Sequence, residues 1–200
     1  MPDRRVAAVV LAAGASRRLG EPKQLIQLAG ESLVRRSARL AVGAGCAPVC
    51  IVLGFEAERM RPELEGLAVE VAVNAGWAEG MGSSLRCGME AVRKLAPEAE
   101  AVMVMVCDQP RLTVKHLRAL LGAHAGAASR VRITASQYAG RLGVPAVFGA
   151  ELFGDLAMVQ GDRGARDLLM REGSRAQMVD WAEGVIDVDE PEHVTGLANE

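Results

Sequence analysis

The chain has 200 residues, and 50% of them are hydrophobic, which suffices for one globular domain with a sizeable core but not for two. Its 23 Lys and Arg against 25 Asp and Glu give a formal net charge of −2, so the composition indicates neither a nucleic-acid partner nor a membrane-attracted surface. A charged fraction of 24% excludes a largely disordered chain. The longest apolar runs, at about ten residues, are far too short to span a membrane.

The first predicted element is a buried strand at Val6–Ala12. The basic start of the chain followed by this apolar run also resembles a short secretory signal, with small residues ending at Ser16. We favour the strand because the next residues form a glycine-containing loop whose chemistry makes sense only when it is joined to a strand.

Strand-like and helix-like segments alternate along the first 125 residues. Valine-rich runs predict strands at residues 49–53, 69–73 and 101–107, and apolar periodicity predicts helices at 33–44 and 85–95. Thr113 is the predicted N-cap of a further helix. After residue 125 the pattern loosens, with strands expected at 131–137, 144–148, 177–180 and 185–188 and a helix at 163–171.

This alternation predicts an α/β fold with a mostly parallel sheet and helices on both faces. In such sheets ligands bind beyond the carboxyl ends of the strands, so the loops that follow the strands are the candidate functional segments. We expect one domain over residues 1–200, whose part after about residue 125 forms the second side of a cleft.

The loop at residues 11–24 has the ingredients of a phosphate-binding site, although it is neither a Walker A nor a GxGxxG motif. Its small residues allow backbone N–H groups to approach an anion, and Arg18 and Lys23 can neutralise several phosphate oxygens. The alternative is a solvated turn with incidental basic residues.

Acidic residues follow two of the predicted strands. Asp108 ends an apolar run, where a carboxylate suits Mg²⁺, although it could instead cap the turn before Pro110. Asp187 and Asp189 are two residues apart, so both face the same side of an extended segment and either could supply a second carboxylate. Two solvated acids are the alternative.

Two glycine-containing loops are further candidates. Residues 80–84 combine a glycine pair with two hydroxyls, which would let a planar base approach, and Ser84 is a candidate N-cap. In the segment 161–166, Arg163 and Arg166 could hold a phosphate of the second substrate, or they could form a surface ion pair.

Covalent catalysis is disfavoured by the placement of the possible nucleophiles and bases. No histidine has an adjacent Ser or Cys partner at a recognisable spacing, and His116 and His124 are expected on or after a polar helix face. The cysteines form no CxxC pair and are expected to be free thiols of a reducing, cytoplasmic compartment; they are Cys46, Cys50, Cys87 and Cys107.

Residues 11–25, LAAGASRRLGEPKQL, resemble the signature of nucleotidyltransferases that use a nucleoside triphosphate: LAAG or LAGG, then x-S-x-R-[ML]-G, then a lysine. The rest of the chain is similar to the molybdenum cofactor cytidylyltransferases. The matching stretches are GMGSSL at 80–85, CDQP at 107–110, GVPAVF at 143–148, GDRGAR at 161–166 and DVDEPE at 187–192. The resemblance runs from residue 6 to about residue 195.

The resemblance implies a Rossmann-like three-layer α/β/α fold of the nucleotide-diphospho-sugar transferase type. It implies transfer of CMP from CTP to the terminal phosphate of a molybdopterin-type molybdenum cofactor, with release of pyrophosphate and with Mg²⁺, or Mn²⁺ in its place, as the metal. Residues 1–125 would then bind the nucleotide and residues 126–200 the acceptor. A molybdenum hydroxylase or its accessory chaperone would be the partner.

Individual roles follow from the same resemblance. Arg18, Lys23 and Asp108 would be catalytic, and Asp108 with Asp189 would hold the metal; Glu190 replaces the usual threonine of the tail motif, so the choice between Asp187 and Asp189 stays open. The acceptor would contact Asp162, Arg163 and Arg166. The nucleotide would contact Leu11, Ala12, Ala13, Gly14, Ser16, Lys23, Gly82, Ser83 and Ser84.

Three alternatives remain open. Guanylyl-transferring relatives typically have LAGG where this chain has LAAG, so Ala13 stands where they have a glycine. This contrast alone favours CTP over GTP. The acceptor could also be another sugar or alcohol phosphate. In a different class, the chain could be a non-catalytic carrier that binds the finished cofactor and delivers it to a molybdenum hydroxylase.

Overall fold

The computed structural model describes residues 5–16, 19–128 and 130–188. Its strands are β1 (Val6–Ala12), β2 (Gln27–Leu28), β3 (Glu31–Ser32), β4 (Val49–Leu53), β5 (Glu70–Val73), β6 (Ala101–Val106), β7 (Ile133–Tyr138), β8 (Arg141–Gly149) and β9 (Gln177–Asp180). Its α-helices are α1 (Leu33–Ala44), α2 (Ala57–Met60), α3 (Met81–Leu95), α4 (Val114–Gly126), α5 (Phe153–Ala157) and α6 (Arg166–Glu172).

The described residues form one seven-stranded sheet in the order β5–β4–β1–β6–β8–β7–β9, beside a small hairpin of β2 and β3. Strands β5, β4, β1 and β6 are parallel neighbours, β8 is antiparallel to β6 and β7, and β9 runs parallel to β7. The predicted mostly parallel sheet is therefore confirmed, and Val6–Ala12 is its buried central strand.

Successive residues of β1 point to opposite faces of the sheet and enter two separate cores. Alternate residues from Val6 onward pack with α1 and α4, while those from Ala7 onward pack with α3, α5 and α6. The result is the predicted three-layer α/β/α arrangement. Gly88 of α3 lies so close to Val9 and Val52 of the sheet that a Cβ atom there would collide with Val9.

Several local predictions need correction. The helix expected at 163–171 begins at Arg166, after a 3-10 turn at Gly161–Arg163. The strand expected at 185–188 is wrong, because the chain forms a 3-10 helix at Ala182–Val185 instead. Gly184 packs against Tyr138 and Trp181 there, with Tyr138 Cδ1 only 2.5 Å from where a Cβ atom would lie.

Both helix α4 histidines are buried rather than on a polar face, so that expectation is wrong. His116 and His124 point toward the sheet and contact Ser136 and Thr134, respectively, at 2.8 and 3.1 Å. The N-cap prediction for α4 is confirmed, since the side chain of Thr113 accepts from the His116 N–H. None of the helices in the described part of the chain is long and apolar enough to cross a bilayer.

Candidate active site

The loops after β1 and β6 meet at one edge of the sheet because these two strands are parallel neighbours. There Lys23 Nζ donates to Asp108 Oδ2 at 2.5 Å, and the two side chains are 18% and 19% exposed. The sequence thus places these oppositely charged groups 85 residues apart, and the sheet brings them into contact on the floor of a cleft.

This nucleotide-loop cleft has a volume of about 500 Å³ and contains most of the predicted first-loop residues. Its wall includes Trp77, whose ring packs edge-to-face on Phe55 with centroids 5.3 Å apart. Gly54 permits this approach, since a Cβ atom there would lie 2.6 Å from Trp77 Cβ. The lining residues are Leu11, Ala12, Ala13, Gly14, Ala15, Lys23, Gln24, Trp77, Ala78, Gly80, Met81, Ser84, Val106, Cys107, Asp108 and Asp162.

A buried polar group underneath the cleft, Gln24, was missed by sequence reasoning. Its amide donates to the carbonyls of Ala12 and Gly14, and Ser16 Oγ accepts from the backbone N–H of Lys23 at 3.0 Å. Ser16 itself has a positive φ of 49°. The sequence signal for this buried amide is weak: a polar residue, Gln24, directly follows Lys23 and comes before the apolar residues Leu25 and Ile26.

The 80–84 segment has a different local structure from the one predicted. Helix α3 begins at Met81 after Gly80, so the prediction that Ser84 caps the helix is wrong. Asn74 Nδ2 instead donates to Ser83 Oγ and Ser84 Oγ at 2.8 and 3.1 Å. Ser84 borders the cleft, whereas Ser83 is directed to the Gly76 and Gly80 carbonyls.

Glycines in this segment permit close contact with the second half of the chain. A Cβ atom on Gly82 would lie 2.8 Å from the backbone of Gln160, and one on Gly80 would collide with the Asp162 carboxylate. Asp162 borders both the nucleotide-loop cleft and a neighbouring cavity. It therefore stands where the two cavities join.

The neighbouring cavity, of about 340 Å³, is lined in part by Tyr138, Arg141, Arg166 and Asp187. Burial raises the pKa of Tyr138, and the carboxylate of Asp187 raises it further. The Arg141 guanidinium lies 6.0 Å from the centroid of the Tyr138 ring, within cation–π range. Arg166 was predicted here, while Tyr138 and Arg141 were not.

A third cavity of about 330 Å³ continues from the second and is mostly apolar. The two share Arg141, Leu142, Arg166 and Leu169, and the third adds Met170 and Met178. The three cavities are therefore neighbours, in a row from Lys23 past Asp162 to an apolar end.

The last described residues lie beside Asp108. The Val188 N–H donates to the Asp108 carbonyl at 2.9 Å, which brings Asp187 to this end of the sheet. Arg18 and Asp189, both predicted site residues, lie outside the described residues, as does the side chain of Arg163.

Burial raises the pKa of the Cys107 thiol to about 12, so this cleft thiol is protonated at neutral pH.

The four cysteines are free, as predicted, with three buried and Cys87 half-buried.

Within residues 5–16, 19–128 and 130–188, no three His, Cys, Asp or Glu side chains are grouped so as to hold a metal ion. Asp108 presents one carboxylate at this edge of the sheet, and Mg²⁺ sites in proteins commonly use one or two carboxylates.

A loop of small residues backed by a lysine, at the carboxyl edge of parallel strands, is how α/β nucleotide-binding domains receive phosphates. That is the class of protein that this fold and cleft define. Residues 8–177 match the MobA-like NTP transferase domain. The chain belongs to this family and is a nucleotidyltransferase.

Similar proteins cover nearly the whole chain. Nicotine blue oxidoreductase of Paenarthrobacter nicotinovorans is 34% identical over 187 residues, covering 89% of this chain and 88% of its own length. Purine catabolism protein PucB of Bacillus subtilis (strain 168) is 28% identical, covering 92% and 91%. The crystal structure of Rv0371c from Mycobacterium tuberculosis H37Rv covers 100% of both chains with a TM-score of 0.79 and 29% identity. A manganese complex of Rv0371c has a TM-score of 0.76, with 26% identity over 98% of each chain.

Proposed function

We propose that the protein transfers CMP from CTP to the terminal phosphate of a molybdopterin-type molybdenum cofactor. The observation that carries the proposal is the contact between Lys23 and Asp108 in the cleft beside the glycine loop. It supplies a compact cation for phosphate oxygens and a carboxylate for a divalent ion at one place. The similarity of residues 80–192 to cytidylyltransferase motifs supports the choice of acceptor and base.

In the proposed reaction an oxygen of the acceptor phosphate attacks the α-phosphorus of CTP. The bond between the α-phosphorus and the bridging oxygen to the β-phosphate breaks, and pyrophosphate leaves with the electron pair. Lys23 and Arg18 neutralise charge that develops on the β- and γ-phosphates. Such transfers depend on positioning and charge neutralisation, so no protein nucleophile is required.

The residues fit a divalent ion, Mg²⁺ or Mn²⁺. Asp108 presents a hard oxygen ligand that is only partly exposed, and we assign Asp189, with Asp187 as the alternative, as the second carboxylate. A bound ion would add positive charge against the triphosphate. The manganese complex of the similar Rv0371c structure supports a divalent-metal site in proteins of this fold.

We assign residues 1–125 to the nucleotide and residues 126–200 to the acceptor. Apart from Asp162, the described residues that line the nucleotide-loop cleft all precede residue 109. The second cavity offers Arg141 and Arg166 to a phosphate, and the mostly apolar third cavity offers side chains that can pack on the flat faces of a pterin. We place the protein in a reducing compartment, the cytoplasm. The proposed recipient of its product is a molybdenum hydroxylase or the accessory chaperone of that enzyme.

A pyrophosphate-release assay with the molybdopterin acceptor, Mg²⁺ and each of CTP, GTP, UTP and ATP tests this function. We expect release that needs both the acceptor and CTP. A preference for GTP would instead identify a guanylyltransferase, and release only with other sugar or alcohol phosphates would contradict the acceptor. Tight acceptor binding without any pyrophosphate would support the carrier alternative.

A further inference from the structure

The segment that carries Asp162 lies so close to the first turn of α3 that glycines are needed there. A Cβ atom on Gly82 would lie 2.8 Å from the Gln160 carbonyl carbon, and one on Gly80 would collide with the Asp162 carboxylate. These glycines permit the contact between the two segments, but they offer no side chain that could hold it.

Hydrogen bonds that hold this contact come from Arg86, one turn further along α3. Its Nη1 donates to the Val159 carbonyl at 2.8 Å, and its Nη2 donates to Glu79 Oε2 at 3.0 Å. The guanidinium is a planar fork of donors that stays charged, and hydrogen bonds from a charged donor are stronger than those between neutral groups. One side chain thus joins α3 to the residue three positions before Asp162.

Arg86 itself lies outside the cavities in which we place the substrates. Among the described residues, neither those that line the nucleotide-loop cleft nor those that line the second cavity include it. It borders a surface cavity of about 350 Å³ with Glu79 and Gln160, and its side chain is 34% exposed. An effect of Arg86 on the reaction therefore passes through the groups that it holds, which are Glu79 and the 159–162 segment.

We propose that Arg86 is a positioning residue that fixes Asp162 between the nucleotide-loop cleft and the second cavity. The inference rests on the proposed function, because it takes the second cavity as part of the acceptor site. There the Asp162 carboxylate accepts hydrogen bonds from N–H groups of the acceptor, such as those of a pterin. Apart from Asp162, the described residues of the nucleotide-loop cleft precede residue 109, so loss of Arg86 impairs use of the acceptor and leaves CTP binding intact.

The first experiment compares the wild type with Arg86→Met, Arg86→Lys and Glu79→Ala. Methionine keeps an apolar stem but cannot donate, whereas lysine keeps the charge and a donor. Glu79→Ala is the matched control, because it removes the ion pair and leaves the bond from Arg86 to the Val159 carbonyl. Pyrophosphate release gives kcat/KM for the molybdopterin acceptor, and equilibrium binding with Mg²⁺ gives the CTP dissociation constant.

We expect Arg86→Met to lower kcat/KM for the acceptor about 10-fold or more, with the CTP dissociation constant within about twofold of the wild type. Arg86→Lys should recover part of the loss. Glu79→Ala should resemble the wild type, because an exposed ion pair contributes little. An equal loss in Glu79→Ala, or equal weakening of CTP and acceptor in Arg86→Met, would contradict the inference.

A double variant tests whether Arg86 acts through Asp162. We expect Asp162→Ala to lower kcat/KM for the acceptor about 10-fold or more, and adding Arg86→Met should lower it no further, because changes that act through one group are not additive. Losses that multiply in the double variant would overturn the inference. So would the wild-type rate in Asp162→Ala, a result that is decisive even if Arg86→Met does not fold.

Hydrogen exchange of the free protein needs no substrate. The backbone N–H groups of Met158 and Val159 donate to the carbonyls of Asp155 and Leu156. We expect these two amides to exchange about 10-fold faster in Arg86→Met, while those of β1 and β6 keep their wild-type rates. Unchanged exchange at both amides in a folded Arg86→Met would show that Arg86 does not hold the segment.

These measurements separate the inference from the proposed function. A wild type that transfers CMP to the acceptor, with unaltered exchange and acceptor kinetics in Arg86→Met, contradicts the inference alone. A wild type that transfers nothing to the molybdopterin acceptor contradicts the proposed function, and the exchange of Met158 and Val159 then still decides whether Arg86 holds this segment.

Discussion

Lys23 and Gln24 are adjacent in the chain but serve opposite sides of the same loop. The Lys23 ammonium contacts Asp108 in the cleft, while the Gln24 amide lies beneath the loop and binds its carbonyls. A short 3-10 helix at Lys23–Leu25 sends the two side chains in different directions. One local turn therefore places both the cation in the cleft and the amide that binds the loop carbonyls.

At the scale of single residues, we expect Lys23→Ala to lower kcat/KM for CTP roughly 100-fold or more, since a group that offsets transition-state charge is lost. Asp108→Asn should give a comparable loss. Steady-state pyrophosphate release is the measurement. Lys94→Ala is the matched control, because Lys94 is exposed and pairs with Glu90 one turn away, and its rate should stay within about twofold. Near-wild-type turnover in Lys23→Ala would show that this cation has no catalytic role.

At the scale of elements, helix α4 is tied to the sheet by a buried histidine. Ser136 Oγ donates to the Pro145 carbonyl at 2.7 Å, so the contact of 2.8 Å between His116 Nε2 and Ser136 Oγ has the histidine as donor. The His116 ring also stacks on Trp181, with centroids 4.8 Å apart. Burial lowers the pKa of His116, against a smaller opposite effect of Glu183.

This lowered pKa predicts a loss of stability in acid. Below about pH 6.5 the unfolded histidine takes up a proton before the folded one does, so the unfolding free energy falls as the pH drops. We expect His116→Gln, measured by urea unfolding at pH 7.5 and 5, to lose less stability over this interval than the wild type. An equal loss in both proteins would mean that His116 is not the responsible group.

Long elements were predictable from the sequence, whereas short ones and their ends were not. Val6–Ala12 and Val49–Leu53 are buried on both faces, which requires the continuous apolar runs that identified them. Residues 185–188 are also mostly apolar, but Val185 ends a 3-10 helix in which Gly184 packs closely on Tyr138 and Trp181. Likewise, α3 starts before Ser84 because Gly80, with a φ of 107°, turns the chain earlier.

At the scale of the molecule, sequence reasoning expected the first loop and Asp108 at the carboxyl edge of the sheet because they follow strands, and they line one cleft there; their roles stay predictions. It did not find Gln24, whose side chain folds back onto its own loop, or Tyr138 and Arg141, which line the second cavity. The cleft itself depends on a contact between segments that are distant in the chain. Gly80 and Gly82 allow the 160–162 segment to pack on the start of α3, which joins the nucleotide-loop cleft to the second cavity.

The most direct measurement follows the α-phosphorus. CTP carrying a ³²P label at the α-phosphate is incubated with the protein, Mg²⁺ and the molybdopterin acceptor, and the products are separated. The account predicts that the label enters a dinucleotide product of acceptor and CMP while unlabelled pyrophosphate is released in equal amount. Label that stays in CTP while the acceptor is bound or otherwise altered would contradict nucleotidyl transfer to this acceptor.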